Sequence, residues 1–117
     1  MSPAPIKSLI NLSALDQVDV RVGTIESVSA IQETTKLVKL RVNFGDHTRT
    51  IVAGLRLERE NLQEIEGKQS LFVVNLAPRT MQGVVSEGML FDIGYADGVT
   101  PVLAMPESAV PNGTRAG

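Results

Sequence analysis

The 117-residue sequence predicts an all-β domain: a five-stranded barrel with one helix between strands 3 and 4 and short N- and C-terminal extensions. Three observations carry this expectation. Apolar and polar residues alternate at period two over 18–22 and 37–44, as in strands with one buried face. A stretch with helical spacing, 57–66, separates a predicted hairpin over 37–54 from a later apolar run at 71–76. The remaining strand-like segments are short and apolar, and closing them into a barrel removes exposed sheet edges.

Residues 1–15 read as an N-terminal extension, and 16–117 as the barrel with its C-terminal extension. MSPAPIK is a loose terminus, and Ser13-Ala-Leu-Asp16 has capping-box spacing for a short helical turn. Val18, Val20 and Val22 alternate with Asp19 and Arg21, whereas Ile25 and Val28 fall out of step. Gly23 stands where the pattern slips, which predicts a bulge or sharp bend in one long strand. Over 37–44, Val38, Leu40, Val42 and Phe44 share one face, with Lys39 and Arg41 on the other. Gly45-Asp46-His47 makes the turn into a returning strand, Thr48–Gly54. In LERENLQEIE (57–66), Leu57, Asn61, Leu62 and Ile65 are spaced for one helical face, and Gly67 stops it. Leu71–Leu76, Gly88–Tyr95 and Val102–Met105 complete the strands. A helix between the third and fourth strands is the order of an OB-type barrel. A split β-sandwich with one helix is the alternative.

Composition narrows the function. Cysteine is absent, which removes disulfide and thiol chemistry and fits a reducing, cytoplasmic setting. Residues 1–15 hold no continuous apolar run, which argues against a signal peptide or membrane span. His47 is the only histidine, and with no cysteine a metal site lacks ligands; the turn is its expected place. No Ser-His-Asp set, GxSxG or P-loop is found, so no catalytic residue and no cofactor site is assigned. A net charge of −2 and 3% aromatics do not suggest RNA binding, but the charge is segregated. Residues 21–56 carry six cations against three acids, net +3; residues 58–66 carry one against four, net −3. The acidic segment is expected to be a solvated face that repels RNA.

The stretch NLAPRTMQGVVSEGML (75–90) joins two apolar runs yet carries an isolated arginine, a serine and a glutamate. A plain turn needs only Pro78 and Gly83. Together with VDVRVGTIESV (18–28), KLVKLRVNFG (36–45), RTIVAGL (49–55) and VPNGTR (110–115), it resembles the tRNA-binding domain family. That family includes free-standing dimeric tRNA-binding proteins, the C-terminal extension of methionyl-tRNA synthetases and CsaA-type chaperones. The resemblance implies an OB barrel that binds the folded shape of tRNA, usually as a homodimer. By motif position it puts Lys36, Asn75, Arg79, Ser86 and Met89 at the RNA. Two positions depart from the family's pattern. Ile31–Thr35 replaces a His-Pro-Asn-Ala-Asp run, and Gln82 stands where a second cation is common; fewer cations imply weaker, more salt-sensitive binding.

Residue chemistry adds to this set. Lys39 and Arg41 share a strand face and can track phosphates. Arg79, after the stiffening Pro78, presents a fork that fits one phosphate. Ser86 can donate to a phosphate or a ribose hydroxyl, and Met89 can pack flat on a base. Glu87 repels phosphate, so its expected role is to orient Arg79 or to accept from a ribose hydroxyl. The bland alternatives are a solvated face for Lys39 and Arg41, a solubilising loop residue for Arg79, a turn former for Ser86 and a core position for Met89. The expected function is a non-catalytic, structure-specific tRNA-binding protein with tRNA as partner. A CsaA-like export chaperone that binds unfolded peptides or preproteins is the alternative, and a module that docks on an aminoacyl-tRNA synthetase is a third reading. Ile6, Leu9, Ile10, Leu12 and Leu15 are too apolar for a free tail, and with Val102, Leu103, Met105, Ala109 and Val110 they predict a homodimer contact. The alternative is that residues 6–15 cap their own barrel.

Overall fold

The computed structural model of the chain describes residues 3–55 and 59–117. A single helical turn, α1 (Leu12–Leu15), leads into β1 (Val20–Ala30), β2 (Val38–Asn43) and β3 (Thr48–Ala53). A four-residue 3₁₀ turn (Leu62–Ile65) precedes β4 (Gln69–Val73). β5 (Arg79–Met81) and β6 (Val84–Ser86) pair with each other as a hairpin. β7 (Met89–Leu90), β8 (Asp92–Ile93), β9 (Val102–Leu103) and β10 (Arg115–Ala116) follow. The main sheet runs β3-β2-β1-β4-β7 with every neighbour antiparallel, and β10 adds to β1. This is the expected five-stranded order, with β7 as the fifth strand, and not a split sandwich.

β1 serves both halves of the sheet. Its first residues, Val20–Thr24, pair with β4, and Thr24–Ala30 pair with β2. The register shifts between Ile25 and Ser27, so the bulge falls at Glu26, three residues past the expected Gly23. The extra residue returns Ile25 and Val28 to the buried side, which explains the slipped alternation. Gly23 has a different task. A Cβ on it would lie 2.6 Å from Val42 Cγ1 and 2.9 Å from the Phe44 ring, so the strand bends inward where only a hydrogen fits. Val38, Leu40 and Val42 are fully buried, and Phe44 meets Phe72 edge to face at 5.5 Å.

Of the helix expected over 57–66, Leu57 and Glu58 lie outside the described residues, and the described part holds the 3₁₀ turn Leu62–Ile65. Asn61 accepts at Oδ1 from Gln63 N, 3.2 Å, to start the turn, and Ile65 plugs the barrel floor fully buried. The chain cannot continue as helix because β1 claims the next residues. Val28 N donates to Glu66 Oε2 (2.9 Å), Gly67 N to Ile25 O (2.7 Å), and Ile25 N to Lys68 O (2.9 Å). These bonds pair the backbone groups that the bulge leaves open. Glu66, although exposed like the rest of the acidic segment, therefore also has a structural role. At the other end, α1 starts after Asn11, with no side-chain cap, so Ser13 lies inside the turn.

Barrel closure rests on two residues of the 75–90 stretch. Glu87 N donates to Thr50 O at 2.8 Å, and its Oε1 accepts from Thr50 N at 2.9 Å. Ser86 Oγ accepts from Val52 N at 3.0 Å and donates to Gly88 O at 3.1 Å. One serine and one glutamate thus seal the β3 edge against the start of β7. Gly88 permits the approach, since a Cβ there would sit 2.9 Å from Val73 O.

Ser86→Ala leaves Val52 N buried without a partner, a loss of about 1–3 kcal/mol; chemical denaturation of variant and parent measures it, and equal midpoints would refute the seal. Gly23→Ala forces Val42 or Phe44 aside and costs about 1–3 kcal/mol by overpacking; the readout is a lowered melting temperature.

Candidate nucleic-acid interface

The alternation of β2 turns Lys39 and Arg41 outward while Val38, Leu40 and Val42 fill the core. Cross-strand from Lys39 lies Val52 of β3. The β5–β6 hairpin lies over this part of the sheet, against β3 and Lys39. The hairpin turns tightly because Gln82 and Gly83 both take positive φ, 51° and 79°, the geometry of a two-residue primed turn. Arg79 opens the hairpin and pairs across the strands with Ser86.

Three adjoining depressions follow. One of about 390 Å³ is lined by Lys39, Glu33, Gln82 and Val84. A second, about 140 Å³, is lined by Val52, Leu76, Arg79, Met81 and Met89. A third, about 380 Å³, shares Val52 and Met89 with the second and continues past Leu55, Phe91 and Tyr95. The surface is therefore a shallow groove with apolar walls and cations at its hairpin end. The side chains of Lys36, Lys39 and Arg79 are exposed and make no hydrogen bond or ion pair among the described residues. Arg41 Nη2 donates to Thr48 Oγ1 at 2.5 Å on the same outer face.

Of the expected residues, the structure brings Arg79 and Met89 into one depression and sets Lys39 in another beside the same hairpin, with Arg41 farther along the Lys39 strand and Lys36 just before it. It does not bring Asn75, Ser86 or Glu87 to this groove as free ligands. Asn75 Oδ1 accepts from Asp19 N (2.9 Å) and its Nδ2 donates to Gln17 O (2.6 Å), which ties the entry of β1 to the end of β4. Ser86 is only 5% exposed, with its hydroxyl spent on the barrel seal. The Glu87 carboxylate holds Thr50 N rather than Arg79. Val52 lines the groove and was missed by sequence reasoning, whereas Gln82, noted there only as a missing cation, lines the depression beside Lys39. Gly83 after Gln82 was the available signal for the hairpin that brings Gln82 there.

Across the 74–77 segment lies a separate polar cavity of about 450 Å³. Arg49 organises it. Its Nη1 donates to Val74 O at 2.6 Å and to Glu87 O at 3.0 Å, and its Nε donates to His47 Nε2 at 2.9 Å. His47 therefore carries its proton on Nδ1, facing Asp46 Oδ1 at 2.6 Å. The His47 ring stacks on Phe44, centroids 5.5 Å apart and planes 22° from parallel. This hydrogen bond holds the Asp46 carboxyl below its ordinary range, with the charge of Arg21 adding to it. The Arg21 hydrogen bond does the same for Asp19, with Arg115 adding to it. Among the described residues, no three His, Cys, Asp or Glu side chains are grouped to hold a metal, and no helix is long and apolar enough to cross a membrane.

The tRNA binding domain profile matches residues 20–115. Methionine–tRNA ligase of Bacteroides fragilis is 36% identical over 111 residues, 95% of this chain but 16% of the ligase, so the chain spans about one-sixth of such relatives. The crystal structure of a MetRS-related protein from Pyrococcus horikoshii superposes with a TM-score of 0.86 at 36% identity, covering 95% of this chain and all of that one. The chaperone CsaA from Bacillus anthracis superposes at 0.79 with 25% identity, covering 94% of this chain and all of that one. A match over nearly the whole barrel, from β1 to β10, shows that this chain belongs to the tRNA-binding domain family.

Proposed function

We propose that the chain is a tRNA-binding module with a binding rather than a catalytic role, and that its RNA face is the groove between β2 and the β5–β6 hairpin. The observation that carries this is the set of uncommitted cations beside the hairpin: Arg79 in one depression with Met89, which offers a flat apolar contact, and Lys39 in another, with Lys36 just before the same strand. Such a surface follows a folded RNA by phosphate contacts and shape, without reading base sequence. Ser86, Glu87 and Asn75 support the face from behind and need not touch RNA. A tRNA ligand supports a cytoplasmic setting for this reading.

One observation favours a second reading. The groove wall of Val52, Leu55, Met89 and Phe91 is apolar enough to hold an extended peptide, as a CsaA-like chaperone would. The family match and the cations favour RNA over it. Docking on an aminoacyl-tRNA synthetase is compatible with either, since the ligase relatives carry this domain as a minor part of their length.

We further propose a homodimer. Ile6 is 97% exposed and Leu9 98%, so residues 6–15 do not cap their own barrel. Ala4 N donates to Asp97 Oδ1, which ties the start of the chain to the loop that carries the exposed Tyr95 and Val99. Leu103 is spent on the core, but Val102 and Met105 remain exposed. A second copy that covers these apolar side chains would also place two cationic grooves on one particle.

Gel shifts with total tRNA test the RNA face. With ~3–4 phosphates neutralised per protomer, raising salt fourfold should weaken binding tenfold to a hundredfold, on the order expected from counterion release. Arg79→Ala should cost on the order of tenfold at an unchanged melting temperature, and Lys68→Ala little. Salt-insensitive binding, or capture of unfolded peptide in place of tRNA, would sink the RNA reading. Light scattering at micromolar concentration tests the dimer: a monomer mass would refute it.

A further inference from the structure

The polar cavity behind the 74–77 segment has the equipment for a ligand of its own. We propose that it is a mononucleotide subsite, in which one unstacked nucleotide lays its base on the open face of His47 and sets its phosphate against the guanidinium groups of Arg21 and Arg49. The proposal rests on the RNA-binding reading above and extends the RNA contact beyond the hairpin groove.

The platform is built in two layers. Phe44 is buried, and His47 stacks on it with 45% of its own side chain still in the open. The imidazole cannot swing freely, since Asp46 holds Nδ1 and Arg49 holds Nε2. A fixed flat ring with one free face is what an unstacked base takes in single-stranded RNA recognition. Below it, Gly45 and Gly113 let the two turns touch through their backbones: a Cβ at Gly45 would lie 2.6 Å from Asn112 O.

The donors left over suit a phosphate. Arg49 commits Nε and Nη1, and its Nη2 has no partner among the described residues. Arg21 spends one N–H each at Nε, Nη1 and Nη2 on Asp19 and Gly113 O, out of the five that a guanidinium carries. Asp19 is paired with Arg21 and Arg115, and Asp46 Oδ1 accepts from His47 Nδ1. Asp46 keeps Oδ2 to accept from an exocyclic amine or a ribose hydroxyl. Asn112 Oδ1 accepts from Thr24 Oγ1 and Gln69 Nε2, which fixes its amide and leaves Nδ2 to donate.

Size and position agree. A volume of about 450 Å³ lies in the range of small-ligand pockets and admits one nucleotide. Val74 and Asn75 line this cavity while Leu76 and Ala77 line the Arg79 depression, so one short segment divides the two. An RNA strand on the hairpin groove reaches the cavity by passing over that segment.

The test uses the full chain labelled with ¹⁵N and titrated with 5′-AMP, adenosine and inorganic phosphate. Saturable shifts at the amides of 45–48 and 112–113 are expected with 5′-AMP, weaker ones with adenosine and the weakest with phosphate. His47→Ala and His47→Phe both remove the acceptor for Arg49 Nε, so only the ring differs between them. His47→Ala should weaken 5′-AMP and tRNA binding on the order of tenfold, while His47→Phe retains both. Absence of 5′-AMP shifts, or equal losses in the two variants, overturns the subsite. If tRNA binding still depends on Arg79 in that case, the RNA reading survives alone. If 5′-AMP binds but tRNA does not, the subsite stands and the RNA reading falls.

Discussion

The close contact of Gly23 with Val42 and Phe44 is the constraint on which the rest of the barrel depends. A strand that must pair with β4 along its first half and β2 along its second has to turn across the barrel within a few residues. The turn brings backbone onto side chains, and only glycine leaves room. The bulge at Glu26 then restores the inward set of Ile25 and Val28. The 3₁₀ turn and the residues after it exist in their observed form because they pair the groups that the bulge exposes.

The proposed binding face is a by-product of how the barrel shuts. Where β3 and β7 meet, the contact is made largely by side chains, from Ser86 and Glu87, and Arg49 fastens Val74 and Glu87 from the other side. The hairpin that carries Arg79 hangs from this closure and owes its position to it. On one side of the closure stands the groove with its free cations; on the other lies the cavity floored by Phe44 and His47. Ser86 and Glu87, which resemble RNA ligands in the sequence, are here fasteners that hold the backbone of β3.

How much of this the sequence revealed depends on where each residue spends its contacts. The β2 face was legible because Val38, Leu40 and Val42 are wholly inside, and Lys39 and Arg41 wholly outside, a pure period-two signal. The hairpin was not, because it stands away from the core. Val85 is half exposed and Met81 and Val84 only partly covered, so the alternation is too weak to mark two strands. The tasks of Ser86 and Glu87 were hidden for another reason. A hydroxyl and a carboxylate beside a strand look alike whether they face RNA or backbone, and the backbone they hold, at Val52 and Thr50, is far away in the chain. The helix over 57–66 was misjudged in length because local spacing does not reveal that Glu66 and Gly67 are already committed to β1.

The Ser86–Glu87 seal also bears on how copies of this chain avoid sticking to one another. β3 ends in Ile51, Val52 and Ala53, an apolar run at the margin of the main sheet. A bare margin of that kind offers a row of amides on which a foreign strand can build, the first step toward aggregation and amyloid-like growth. Here the amides of Thr50 and Val52 are occupied by a carboxylate and a hydroxyl from the same molecule. A side chain can hold one amide but cannot pass a ladder on to a further strand. The margin is blocked against polymerisation by the same two residues that close the barrel.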